Sequence, residues 1–152
     1  MKNIKDFFIE NKDYSIVIVR IGLALVLLWF GTHQLINPES FLGYIPQWLY
    51  SHEPQMMHEH SLQLMHNIPK PSVHFILMFN GIFEVIIGSL LLIGIYTRII
   101  ASIAALHLFF IALSLGYNDI AIRDLGLTMM AVSLIFSGAG ILSLDNKIIE
   151  IR

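Results

Sequence analysis

The sequence predicts an all-α fold: a four-transmembrane-helix antiparallel bundle with both termini cytoplasmic and a long extracytoplasmic loop between the first two helices. Three observations predict it. Of the 152 residues, 56% are hydrophobic and only 13% charged, with a mean hydropathy of +0.72, whereas a soluble domain carries about 25% charged residues. Four apolar runs, about 15–36, 72–95, 97–115 and 122–142, approach the roughly 20 residues that a helix needs to cross a bilayer. The 94–98 hinge and the 116–119 stretch are so short that the helices they join must run antiparallel. Residues 1–152 therefore read as one multi-pass domain of a cell membrane, plasma or inner.

The first run resembles a secretory signal only superficially. It is too long, Arg20 interrupts it, and no small-residue cleavage site follows, so it is expected to be retained. Ahead of it, Ile4, Phe7 and Phe8 share one helical face beside Lys2, Lys5 and Lys12, a pattern suited to a short helix on the membrane surface or to a frayed end. Lys2, Lys5, Lys12, Arg20, Arg98, Lys147 and Arg152 fall on one side of the four-span topology, and Lys70 and Arg123 on the other. That bias puts the 37–71 segment outside. Within this segment Trp48 and Tyr50 suit the headgroup level, and Met57, Leu64, Met65 and Ile68 recur at helical spacing after Pro54, which predicts a re-entrant or surface helix.

Nine Lys and Arg against eleven Asp and Glu give a net charge of −2, which excludes a nucleic-acid binder. The absence of cysteine excludes protein thiol chemistry and thiolate-held zinc or iron–sulfur clusters. Any redox work must then use a bound cofactor or a partner. No phosphate-binding loop, nucleophile elbow or pair of catalytic carboxylates is present.

Ionisable residues inside spans are costly and are therefore functional candidates. Arg20, Ala24, Leu27, Gly31 and Gln34 form one interior stripe on the first helix, and Asn80, Glu84 and Gly88 form another on the second. His107 lies near mid-depth on the third helix with Ala104, Ile111 and Ser114. Glu84 and His107 are thus expected to meet, as candidate proton-handling catalytic residues. Arg20 and Asn80 are assigned to a structural polar network, in which Arg20 joins Glu84 and His107 in fixing helix register while its charged end reaches back to the cytoplasmic surface. At the outer face Arg123 and Asp124 open the fourth span at the level of His33 and Gln34, a candidate cofactor site that Trp48 and Tyr44 could cover. The bland reading of that group is a helix cap, or an Arg123–Asp124 pair that only anchors the helix end.

Seven histidines raise the question of metals. His33 and His107 lie at different depths, so a haem with two axial histidines is not expected. His52, Met56, Met57, His58, His60, Met65 and His66 mix imidazole and thioether, which suits copper. Met57 and Met65 are already needed on the apolar face of the loop helix, however, so no metal site is assigned.

Several segments together resemble the DoxX family of small four-helix membrane proteins. They are Arg20-Ile-Gly22 with Phe30-Gly31, and Phe83-Glu84-x-x-x-Gly88 leading to Gly94-x-x-Thr97-Arg98. Further along come Arg123-Asp124-Leu125, Ser137-Gly138-Ala139-Gly140 and Ser143-Leu144-Asp145. The resemblance covers nearly all of the chain outside 45–70. It implies a four-span bundle tied, in some members, to respiratory redox work, such as the DoxD-type subunit of thiosulfate:quinone oxidoreductase. Many relatives carry a lysine near the position of Gln34 that this chain lacks, which weakens any anion-binding role here, and the Gly-Pro-Gly common near the family's chain end reads Gly138-Ala139-Gly140.

The leading functional expectation is a redox-linked, quinone-interacting subunit of a membrane oxidoreductase system, with a protein partner and quinone as the cofactor. The alternative is a non-catalytic scaffold whose outer loop docks a partner. A small-molecule transporter ranks third, because corresponding Gly/Pro-broken spans are absent. Homo-oligomers are compatible with all three.

Overall fold

A computed structural model describes residues 11–46 and 72–151, and every regular element there is helical. Helix α1 spans Lys12–Ile36, and a 3-10 helix follows at Pro38–Tyr44. Then come α2 at Val73–Ile93, α3 at Thr97–Leu115, α4 at Asp119–Ser137 and the short α5 at Leu144–Ile151. The expected surface helix near residues 4–8, the aromatic anchors Trp48 and Tyr50, the 54–68 helix and the His/Met cluster fall outside the described residues.

Helices α1 to α4 are long and apolar enough to cross a membrane, and only 28–33% of each span is buried inside the protein. Large apolar side chains, among them Ile18, Trp29, Phe75, Phe110 and Phe136, point outward around the bundle. Such a belt is unstable against water and stable against lipid, while the helices satisfy their backbone groups internally. The protein is a multi-pass membrane protein whose solvent is the bilayer.

The helix ends follow from local chemistry. Ser72 Oγ accepts a hydrogen bond from the Phe75 amide at 3.3 Å and starts α2. Gly94, at φ 73°, ends it in the left-handed region that glycine enters without steric cost. Tyr96 also sits at a positive φ, 47°, which is strained for a bulky residue. Asp145, from the start of α5, holds that turn: its two carboxylate oxygens accept from the Tyr96 amide at 2.7 Å and the Thr97 amide at 2.8 Å. The C-terminal helix thus caps α3.

The fourth span departs from expectation. It runs 119–137 rather than 122–142, because Asn118 Oδ1 accepts from the Ala121 amide at 2.8 Å and starts the helix early. Gly138, at φ 80°, stops it before the apolar Ile141 and Leu142 are reached. Gly138 is therefore a helix terminator. Asp124 consequently lies more than a turn inside α4, fully buried, and is not its cap.

Glycine lets α1 and α2 cross closely. A Cβ built on Gly31 would stand 2.7 Å from the Gly81 carbonyl oxygen, and one on Gly81 would stand 2.9 Å from that of Gly31. On the other side of the bundle the small buried residues Ala101, Ala104, Ala105 and Ala112 allow α3 to lie along α4. Leu23, Leu27, Leu91, Leu108 and Leu134 fill the core shared by all four helices. The two helix pairs, α1 with α2 and α3 with α4, are each extensively packed, whereas α2 and α3 touch little despite the short turn between them.

Arg20 neither joins Glu84 and His107 nor reaches the surface. Its side chain, 1% exposed, donates through Nε to the Ala139 carbonyl at 2.9 Å. Through Nη1 it donates to the carbonyls of Leu91 at 2.6 Å and Leu92 at 2.8 Å, and through Nη2 to Leu142. The C-terminal carbonyls of α2 carry the negative end of that helix's dipole, so they balance the guanidinium charge. Arg20 ties the end of α2 to the 138–142 turn.

Candidate functional site

The α1–α2 crossing at Gly31 and Gly81 brings Gln34 next to Asn80, whose Nδ2 donates to Gln34 Oε1 at 2.8 Å and to Glu84 Oε1 at 2.9 Å. One turn separates Asn80 from Glu84 on α2, so a single amide orients both neighbours. Across the cavity, Arg123 pairs with its chain neighbour Asp124, with Nε 2.8 Å and Nη2 2.6 Å from Oδ1. The guanidinium carbon also lies 3.8 Å from the centre of the Phe30 ring on α1. The Arg123–Asp124 pair foreseen as an anchor does form, and the stack on Phe30 brings it against the first helix.

Gln34, Asn80, Glu84, His107, Arg123 and Asp124 all line one cavity of about 230 Å³ between the four spans. Phe41, Tyr44, Ile45 and Pro46, from the 3-10 helix and the residues after it, line its end beyond α1. Two groups expected at different depths, Glu84 with His107 and Gln34 with Arg123 and Asp124, are therefore one site. Helical spacing gives depth along each span but not the lateral opening that joins two depths.

Glu84 and His107 share the cavity without bonding to one another. Glu84 Oε2, His107 Nε2 and Asp124 Oδ2 are buried and have no hydrogen-bond partner, while the Phe83 ring lies 4.4 Å from the His107 ring. Three such atoms around one small space are unusual, since each buried polar group left unpaired costs about 1–3 kcal/mol. The walls between them are aromatic or aliphatic, including Ile76, Leu77, Phe110 and Ile111. The set offers acceptors in the two carboxylates and donors in the Gln34 amide and the Arg123 guanidinium.

His33 is placed apart from this group. It is exposed on the outer surface of α1, stacked 6.3 Å from Trp29 and edge-on 5.6 Å from Phe41. Successive positions on a helix point about 100° apart, so when Gln34 faces the cavity His33 cannot. Tyr44 lines the cavity, while Trp48 falls outside the described residues. Phe41 and Phe110 were not anticipated as walls, although Phe110 lies three residues after His107 and hence on the same face.

A larger groove of about 830 Å³ lies at the opposite end, near Asp13, Arg98 and Asp145. Its Asp145 carboxylate is already committed to capping α3. No curated protein and no solved structure matches the chain. The DoxX family model matches residues 15–116, which is more than half of the chain and includes the α1, α2 and α3 residues of the cavity. The order of motifs, the four apolar helices and this match agree: the chain belongs to the DoxX family.

Proposed function

We propose that this membrane protein is a quinone-interacting subunit of a membrane oxidoreductase system, with the headgroup held in the cavity bounded by Gln34, Asn80, Glu84, His107, Arg123 and Asp124. The observation that carries the proposal is the convergence on one small cavity of three residues with unpartnered buried polar atoms, Glu84, His107 and Asp124. A volume of about 230 Å³ falls below the roughly 300–1,000 Å³ of drug-sized ligand sites and suits a single ring.

The residues fit both forms of such a ring. Gln34 and Arg123 can donate to carbonyl oxygens, and Glu84 Oε2 and Asp124 Oδ2 can accept from hydroxyls. His107 can do either, according to which ring nitrogen carries the proton. Two carboxylates and an imidazole can therefore hold and pass the protons that accompany electron transfer. A bound quinone supplies two-electron, two-proton chemistry; the electrons come from a partner's redox centre, because this chain has no cysteine to hold a sulfane sulfur or a cluster.

The Lys and Arg bias supports an orientation with the 94–98 turn in the cytoplasm and the cavity in the outer half of a plasma or inner membrane. The test is titration of the purified protein, in lipid nanodiscs free of quinone, with a soluble quinone analogue. Saturable binding that Asp124→Asn and Arg123→Gln each weaken by about 1–3 kcal/mol supports the proposal. Absence of binding by the parent leaves a scaffold role as the better account.

A further inference from the structure

We infer that the ligand of this cavity carries a long apolar tail, which leaves sideways through the seam between α2 and α3. The inference rests on the quinone reading above and narrows it to a tailed, membrane-dissolved quinone.

The seam follows from the helix pairing. Because α2 packs along α1 and α3 along α4, the two middle helices are left with little contact. They meet at mid-depth where Phe83 stands 4.4 Å from His107. Farther from the turn, the cavity occupies the space between them, with Ile76, Asn80 and Glu84 on one wall and His107, Phe110 and Ser114 on the other. Phe41, Tyr44, Ile45 and Pro46 line the end of the cavity beyond α1, and the seam between α2 and α3 is the side that faces lipid.

The rim of that route is aromatic. Phe110 both lines the cavity and is 63% exposed on the lipid-facing surface. Phe75, Phe79 and Phe83 stack in a ladder at four-residue intervals, with ring centres 6.4 and 6.3 Å apart, and the ladder ends at His107. Phe75 and Phe79 are exposed, so the ladder leads from the lipid surface of α2 to an imidazole inside the site. A polar ring at Glu84, His107 and Asp124 then has an apolar exit of matching chemistry. Hydrocarbon gains little by moving from lipid onto protein, so the ladder guides the tail rather than supplying the affinity.

Photo-crosslinking tests the route. The protein in nanodiscs is exposed to a quinone whose isoprenoid tail carries a diazirine near the ring, and labelled peptides are mapped by mass spectrometry. The tailless dimethoxy-methyl-benzoquinone headgroup serves as competitor. Labelling within 75–83 and 107–114 should exceed that at the lipid-facing Ile18 and Leu25 of α1 by about tenfold, the ratio that 1.4 kcal/mol of preference gives. Excess competitor should abolish it, and Glu84→Gln should reduce it. Competed labelling that maps instead to 41–46 overturns the lateral route while leaving the quinone reading intact. Uniform labelling that the competitor does not reduce shows that no headgroup docks, and then both fall.

Discussion

Asn80 holds Glu84 by one oxygen only: its amide donates to Oε1 at 2.9 Å, and Oε2 is left buried and unpaired. The same amide donates to Gln34, so α1 fixes the geometry of a carboxylate on α2. This divides what Glu84 does for the fold from what it offers to a ligand.

Glu84→Gln keeps an oxygen for Asn80 and should melt close to the parent, yet lose quinone-analogue affinity by about 1–3 kcal/mol. Glu84→Ala removes both functions and should also lower the melting temperature. Thermal melts in detergent beside nanodisc titrations separate the two effects. A Glu84→Gln protein with parental affinity removes Glu84 from the site.

Arg123 and His33 should part company. Arg123→Gln loses the charge that pairs with Asp124 and stacks on Phe30, and should weaken quinone-analogue binding by about 1–3 kcal/mol. His33→Ala should leave affinity unchanged, since the imidazole lies on the outer surface against Trp29 and Phe41. Isothermal titration of both variants checks the contrast, and equal losses would place His33 in the site after all.

Arg20→Met strips the guanidinium from the carbonyls of Leu91, Leu92, Ala139 and Leu142. It should destabilise the fold by about 1–3 kcal/mol for each buried carbonyl left without a donor. Arg20→Lys should recover only part of this, because an ammonium cannot reproduce the planar fork. Proteolysis of the 138–143 turn, followed alongside the melt, should rise in the same order.

Asp145→Ala removes the cap that holds Tyr96 at positive φ. By the usual cost of losing a cap it should destabilise the fold by about 1 kcal/mol. Thermal melts in detergent check it, and the outer cavity should bind as before.

These residues show how far the sequence could be read. The interior stripes from Arg20 to Gln34 and from Asn80 through Glu84 to Gly88 were legible because a helix repeats every 3.6 residues. The end of α4 was not, since hydropathy continues through Ile141 and Leu142 while the chain turns at Gly138. Nor were the bonds of Arg20, whose partners are backbone carbonyls that carry no mark in the sequence. The union of the mid-depth and outer polar groups depends on how α2 and α3 separate, a property of helix pairing rather than of any single helix.

Quinone content tests the central claim most directly. The parent and a Glu84→Gln/Asp124→Asn double variant would be purified from the same membranes, and their organic extracts compared with the quinone-to-phospholipid ratio of those membranes. The account predicts that the parent retains quinone well above that ratio, approaching one per chain, while the double variant, folded by its melt, falls to it. A parent that carries no more quinone than the surrounding lipid would contradict the account.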